Sequence, residues 1–141
     1  MKRRKNGFTL VELVVVVMIL GILAAVAAPR LLQTSDTATE NGLKQTVAVI
    51  RDAIERHAAE HGGALPGADG NAATFLTDIR PYLRGPFPTC PVGNQNSQIS
   101  MQTPGPPAVG GTQGWAYAYD TGEFIINHAS TDSEGTAYNT Y

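Results

Sequence analysis

The stretch Lys2–Arg30, KRRKNGFTLVELVVVVMILGILAAVAAPR, decides how the rest of the chain is read. Four cations, Lys2, Arg3, Arg4 and Lys5, precede an apolar run from Phe8 to Ala28. Within that run Glu12 is the one charged residue, and proline is absent until Pro29. At a helical rise of about 1.5 Å per residue the run reaches roughly 30 Å, the thickness of a hydrocarbon core. Cations on its N-terminal flank hold that end in the cytoplasm and place the remainder of the chain on the far side. A secretory signal peptide has the same outline, with Ala25-Val26-Ala27 as a cleavage site, but the run is longer than an ordinary signal core and contains an acid. A plain membrane anchor explains the length and leaves Glu12 unexplained.

At Lys5–Leu13, KNGFTLVEL, the sequence resembles the processing motif of the type IV pilins and type II secretion pseudopilins: a basic leader ending in glycine, a phenylalanine, a glutamate at a fixed offset and a spanning helix. The resemblance implies cleavage between Gly7 and Phe8 by a prepilin peptidase that also methylates the new Phe8 amine. It further implies that Glu12 sets the register between neighbouring subunits by facing the Phe8 amine of another copy. An unpaired charge in a membrane costs about 2.5–3.5 kcal/mol on insertion scales, so pairing relieves a real penalty. An isolated interfacial acid that snorkels to the headgroups is the plainer alternative. Gly21 and Pro29 stand where subunits of this family lose helical hydrogen bonds in filaments. Proline lacks a donor and glycine lowers helix propensity, so either a break or only a mild kink at Pro29 is compatible with them.

The family implies an α+β fold: a long N-terminal helix, half transmembrane and half amphipathic, packed on a small antiparallel β-sheet head. The expected divisions are a leader at 1–7, a membrane and assembly helix at 8–29, a stem helix at 30–63 and a head at 64–141. The residues support the stem independently. Leu43, Val47, Ile50 and Ile54 recur at helical spacing, Lys44, Arg51, Asp52 and Glu55 fall on other faces, and Gly62-Gly63 supply a stop. The polar segment Thr34–Asn41 is a place where this helix can loosen. Phe75, Leu76, Ile79, Tyr82 and Leu83 predict a short helical face that restarts at Pro81, and Pro86, Pro88 and Pro91 exclude regular structure around them. Gln98–Gln102 reads as a strand. Trp115, Tyr117 and Tyr119 alternate with alanines, Asp120–Glu123 turns the chain, and Phe124–Asn127 returns as the hairpin partner.

Net charge narrows the function. The formal charge of −2 conceals a basic leader: ten basic residues less the four before the apolar run leave six against twelve acidic, a net of −6. An acidic body without a basic stripe offers nucleic acid no footprint. Cys90 is the single cysteine, which rules out an internal disulfide. No nucleophile motif, phosphate loop or metal-ligand spacing occurs, so the chain reads as a structural subunit and not as an enzyme. His57 and His61 lack the arrangement and third ligand of a zinc helix and read as solvated residues on a helix end. Asp132, Ser133 and Glu134 are calcium candidates, because major pseudopilins hold calcium in a C-terminal loop; a solvated polar tail is the alternative. The implied partners are other copies of the chain, related subunits, the peptidase, an inner-membrane platform and an assembly ATPase. The implied location is a bacterial inner membrane with the head in the periplasm or outside. The expected role is that of a type II secretion pseudopilin, with a type IV pilin for adhesion, motility or DNA uptake as the near alternative. A soluble exported binding protein, cleaved after Ala27 and using Trp115, Tyr117 and Tyr119 as a glycan platform, is the alternative of another class.

Overall fold

The structure, a computed structural model, describes residues 8–141. Helix α1 spans Leu10–Glu60 and α2 spans Ala72–Ile79, followed by a 3-10 turn at Arg80–Tyr82. Strands β1 (Ile99–Gln102), β2 (Trp115–Ala118) and β3 (Phe124–Ile126) form one sheet, and a last 3-10 turn covers Tyr138–Thr140. Two compact units divide the chain, one ending at Thr37 and the other running from Ala38 to Tyr141.

In the first unit α1 is apolar through residue 28, apart from Glu12 in its first turn. The unit's large side chains from Phe8 to Leu31, Val14, Ile19 and Leu23 among them, are exposed in the isolated chain. The helix is long and apolar enough to cross a membrane, and its most apolar window has none of its surface buried. The sequence allowed a break from Gly21 to Pro29, but α1 is helical across both residues. One missing donor at Pro29 removes a single hydrogen bond from a ladder of many, which the flanking turns tolerate. Helix also continues through Thr34–Asn41, where the Thr34 hydroxyl donates back to the Arg30 carbonyl at 2.9 Å.

In the second unit, Leu43, Val47, Ile50, Ala53 and Ile54 form the buried stripe of α1 and share one core with Phe75, Ile79, Trp115, Tyr117, Phe124 and Ile126. The helix ends where the sequence supplies its stop. Gly62 and Gly63 take φ of 65° and 93°, a left-handed conformation open to glycine, and the Gly63 amide donates to the Ala58 carbonyl at 2.7 Å. His57 corrects the sequence reading: it is buried, not solvated. Its ring stacks on His61 with centroids 4.1 Å apart, meets Tyr82 edge-on, and places Nδ1 3.2 Å from the Ala64 carbonyl. The turn after α1 folds back over the ring, a tertiary effect that helix-end composition does not encode.

The sheet also differs from expectation, being mixed and not antiparallel. β2 and β3 form the predicted antiparallel hairpin, with Trp115 opposite Ile126 and Tyr117 opposite Phe124. β1, however, pairs parallel to β2, Ile99 with Trp115 and Met101 with Tyr117. A parallel neighbour needs a crossover of about a dozen residues, and the Gly- and Pro-rich segment 103–114 provides one. Gly114 closes that segment where the backbone passes so near Asn96 that a Cβ would sit 2.3 Å from its carbonyl oxygen.

β2 is the central strand and all four of its residues are buried, Ala116 and Ala118 as well as the two aromatics. Trp115 lies 5.3 Å from Phe124 between ring centroids, and Tyr117 lies 4.5 Å from Phe75. The Trp115 indole donates to the Pro88 carbonyl at 3.0 Å, which ties the proline-rich crossing to the sheet. Burial of Trp115 and Tyr117 overturns the glycan-platform reading, since neither ring has a face to offer.

Tyr117 carries the one buried side-chain polar atom without a hydrogen-bond partner among the described residues, its hydroxyl. Burial, reinforced by the nearby Asp78 charge, pushes that hydroxyl's pKa up and keeps it protonated. A lone buried hydroxyl costs stability that a phenyl ring does not. Tyr117→Phe is therefore expected to raise the head's unfolding free energy by about 1 kcal/mol, read from the fluorescence of the sole tryptophan in denaturant. A loss of stability would mean that the hydroxyl has a partner.

Candidate functional site

The residues that the sequence marks for processing and assembly cluster at the start of α1. Gly7 lies outside the described residues. Phe8 is 73% exposed, and Glu12 and Thr9 are exposed beside it. Thr9 stands at the cap position, immediately before the first helical residue, and its carbonyl accepts the first helical hydrogen bond, from the Leu13 amide at 3.2 Å. Its hydroxyl accepts from the Glu12 amide at 3.2 Å and donates to Glu12 Oε2 at 2.8 Å, while the Thr9 amide donates to the same Oε2 at 2.9 Å. Side chain and backbone are thus satisfied reciprocally, which is the arrangement of a capping box. A negative carboxylate on the first turn also complements the positive end of the helix dipole.

The acid is therefore held one turn from Phe8 by bonds internal to one chain. Glu12 Oε2 carries both donors from Thr9, and Oε1 accepts no hydrogen bond from another described residue. The sequence Thr9-Leu10-Val11-Glu12 already has the spacing of a capping box, so Thr9 was findable; the motif drew attention to Gly7, Phe8 and Glu12 instead.

Among the described residues no catalytic constellation joins this site. Cys90 is buried, and burial pushes its thiol pKa up, away from thiolate reactivity. A shallow apolar cleft of about 360 Å³ between α1 and the loop at 83–88, lined by Val49, Ile50, Leu83 and Pro86 among others, contains no acid, histidine or cysteine. Among the described residues no three histidine, cysteine or acidic side chains converge as a metal site.

The calcium candidates behave as three different things. Asp132 is buried, Ser133 and Glu134 are exposed, and the latter contributes its backbone amide, which donates to Asp132 Oδ1 at 2.9 Å. Ser133 turns to α1, donating through its amide and hydroxyl to the two oxygens of Glu40 at 2.8 and 2.7 Å. The tail is consequently docked and not a solvated strand. Lys44 and Arg51, which the sequence puts off the apolar face of the stem, and Glu40, which falls in the polar segment Thr34–Asn41, are its partners. Their positions beside the apolar stripe were visible, but nothing local indicated a C-terminal loop opposite them.

Comparison with known proteins places this geometry. Residues 2–28 match the family described as the prokaryotic N-terminal methylation motif. The type II secretion system core protein G of Pseudomonas aeruginosa is 37% identical over 116 residues, 74% of this chain and 80% of that protein. This chain belongs to the type IV pilin and pseudopilin family. The prepilin peptidase-dependent protein D of Escherichia coli is 30% identical over 119 residues, 79% of this chain and 81% of that protein. The type IV narrow pilus major component PilA5 of Thermus thermophilus is 44% identical over 50 residues, 36% of this chain and 43% of that component. No solved structure matches the chain significantly. Members of the family are structural subunits that assemble with one another, and α1 makes this one a membrane-anchored, single-pass protein.

The capping box yields a direct test. Thr9→Ala removes the hydroxyl and is expected to cost about 1 kcal/mol at the helix start, read as faster amide hydrogen exchange at Leu10–Leu13 of the chain in detergent micelles. Unchanged exchange would mean that Glu12 is held some other way.

Proposed function

We propose that this chain is a pseudopilin of a type II secretion system, polymerising through α1 into a filament that supports protein export. One observation carries the proposal: the likeness to secretion core protein G extends over 80% of that protein, so includes the head, and at 37% identity exceeds the 30% of the similarly long likeness to protein D, whereas the likeness to PilA5 covers 50 residues. A shared membrane helix is common to every filament of this family. A shared head narrows the machine.

In this reading the chain enters the inner membrane with Lys2–Lys5 in the cytoplasm and the head on the opposite side. A prepilin peptidase cuts between Gly7 and Phe8 and methylates the Phe8 amine, which retains its positive charge. Glu12 then exchanges an internal partner for an external one. Before assembly Thr9 holds the carboxylate against the helix end; on docking, the amine of a neighbour's Phe8 attracts it, because an opposite full charge outbids a hydroxyl dipole in a low dielectric. The pairing aligns two helices axially, the use of buried charge that fixes register more than it adds stability. Gly21 and Pro29 are where α1 can lengthen when lipid is replaced by neighbouring helices. An inner-membrane platform and an ATPase supply the work of extraction, and the chain itself performs no catalysis.

Glu12→Leu tests this mechanism. The apolar helix persists, so insertion and cleavage after Gly7 are expected to remain at wild-type levels. Filaments recovered by shearing, and export of the cell's secreted proteins, are expected to fall to background. Normal filaments from this variant would remove the role given to Glu12. Loss of long surface filaments with secretion intact, on deletion of the gene, would assign the chain to a type IV pilus instead.

A further inference from the structure

The C-terminal loop meets α1 around a buried carboxylate, Asp132, whose side chain has no solvent exposure. A buried charge needs a compensating cation and a full set of donors. Asp132 has both within the protein. Oδ1 accepts from the Glu134 amide at 2.9 Å and the Thr136 amide at 2.7 Å. Oδ2 accepts from the Tyr141 hydroxyl, and the Lys44 ammonium stands 3.8 Å from the same oxygen. That ammonium also lies over the Tyr141 ring, 4.6 Å from its centroid, so one cation faces both the carboxylate and the aromatic ring that bonds it.

Calcium requires six to eight oxygen ligands within about 2.6 Å, presented with their lone pairs free. This loop does not offer them. The lone pairs of Asp132 point at two amides, a hydroxyl and an ammonium, and each oxygen of Glu40, the acid that α1 brings to the loop, already accepts from Ser133, one from its amide and one from its hydroxyl. Glu134 brings an N–H and not its carboxylate. A divalent ion at Asp132 would have to expel Lys44 or sit against its charge.

The loop is also closed without a metal. The Asp132 amide donates to the Thr136 carbonyl at 2.8 Å, the Gly135 amide donates back to the Asp132 carbonyl at 3.1 Å, and Thr131 bridges Ala137. Arg51 reaches from α1 to the Phe124 carbonyl at 2.8 Å and to the Tyr141 main-chain oxygen, joining the start of β3 and the tail to the same helix.

We propose that Lys44 is the built-in cation of the C-terminal loop, occupying by its ammonium the place beside Asp132 that a divalent ion would need, so that the head folds and stays docked without a metal. The reading rests on the loop and α1 alone and holds whichever filament the chain builds.

The test uses the full chain in detergent micelles, with the fluorescence of the sole tryptophan reporting head unfolding. Wild-type protein is heated in chelator and in about 10 mM calcium chloride, enough to fill extracellular-type sites of about 0.1–1 mM, with magnesium as the ionic control. The expected result is the same midpoint in all three. A calcium-specific rise of about 5 °C or more would overturn the proposal, because a ligand that binds the folded state raises its stability by mass action. Lys44→Gln and Lys44→Arg supply a second readout. Gln is expected to lower the midpoint by several degrees in chelator while Arg retains it, since charge is what the loop needs. A Gln variant with the wild-type midpoint would show that Lys44 is not the cation holding the loop.

Discussion

Everything in this chain follows from one constraint: a single helix has to satisfy two different environments. Through residue 28, Glu12 apart, α1 carries apolar side chains all round, and in the isolated chain they have no cover. From Leu43 to Ile54 apolar residues are confined to one stripe, which the head buries. The first pattern is stable only in lipid or among other helices of its kind, while the second supplies its own core. A subunit that can leave a membrane for a filament needs both, because the head must remain folded while the cover of the first unit changes from acyl chains to neighbours.

The two charged sites answer the same difficulty at opposite ends. Glu12 is an acid in an apolar setting, and Thr9 gives it hydrogen bonds but no opposite charge. It is therefore satisfied and still available to a stronger partner. Asp132 is buried and fully subscribed, with the Lys44 ammonium of α1 and three hydrogen-bond donors of the C-terminal segment around it, so it locks. The Tyr141 hydroxyl bond, more than any other influence, holds the Asp132 carboxyl pKa below the usual carboxylate range, and burial works in the opposite direction. On the proposed function, what sets Glu12 apart from Asp132 is the oxygen it leaves without a donor among the described residues.

Periodic features of this fold were legible in the sequence. The apolar run, the stripe at Leu43, Val47, Ile50 and Ile54, the short helix around Phe75 and Ile79, and the hairpin from Trp115 to Ile126 all announce themselves by spacing and turn residues. Orientation and long-range pairing were not. The parallel alignment of β1 depends on how segment 103–114 crosses the sheet, and no local pattern distinguishes a strand that returns from one that runs alongside. His57 is buried by the turn that follows its helix, and Lys44 and Arg51 engage residues 88 and 73 positions away. At the candidate site, Phe8 and Glu12 stand out in the sequence because the matched motif is contiguous. The bond from Thr9 to Glu12 was encoded too, as a capping box concealed within the motif.

The N-terminal peptide mass of the protein recovered from native membranes tests the central claim most directly. A mature chain that begins at Phe8 and carries one methyl group on its amine is the predicted result, since that cut creates the charge Glu12 is placed to meet. A chain beginning at Ala28 would mean that α1 loses its apolar half on export, and an intact Met1 would mean a permanent anchor. Either result would contradict the account.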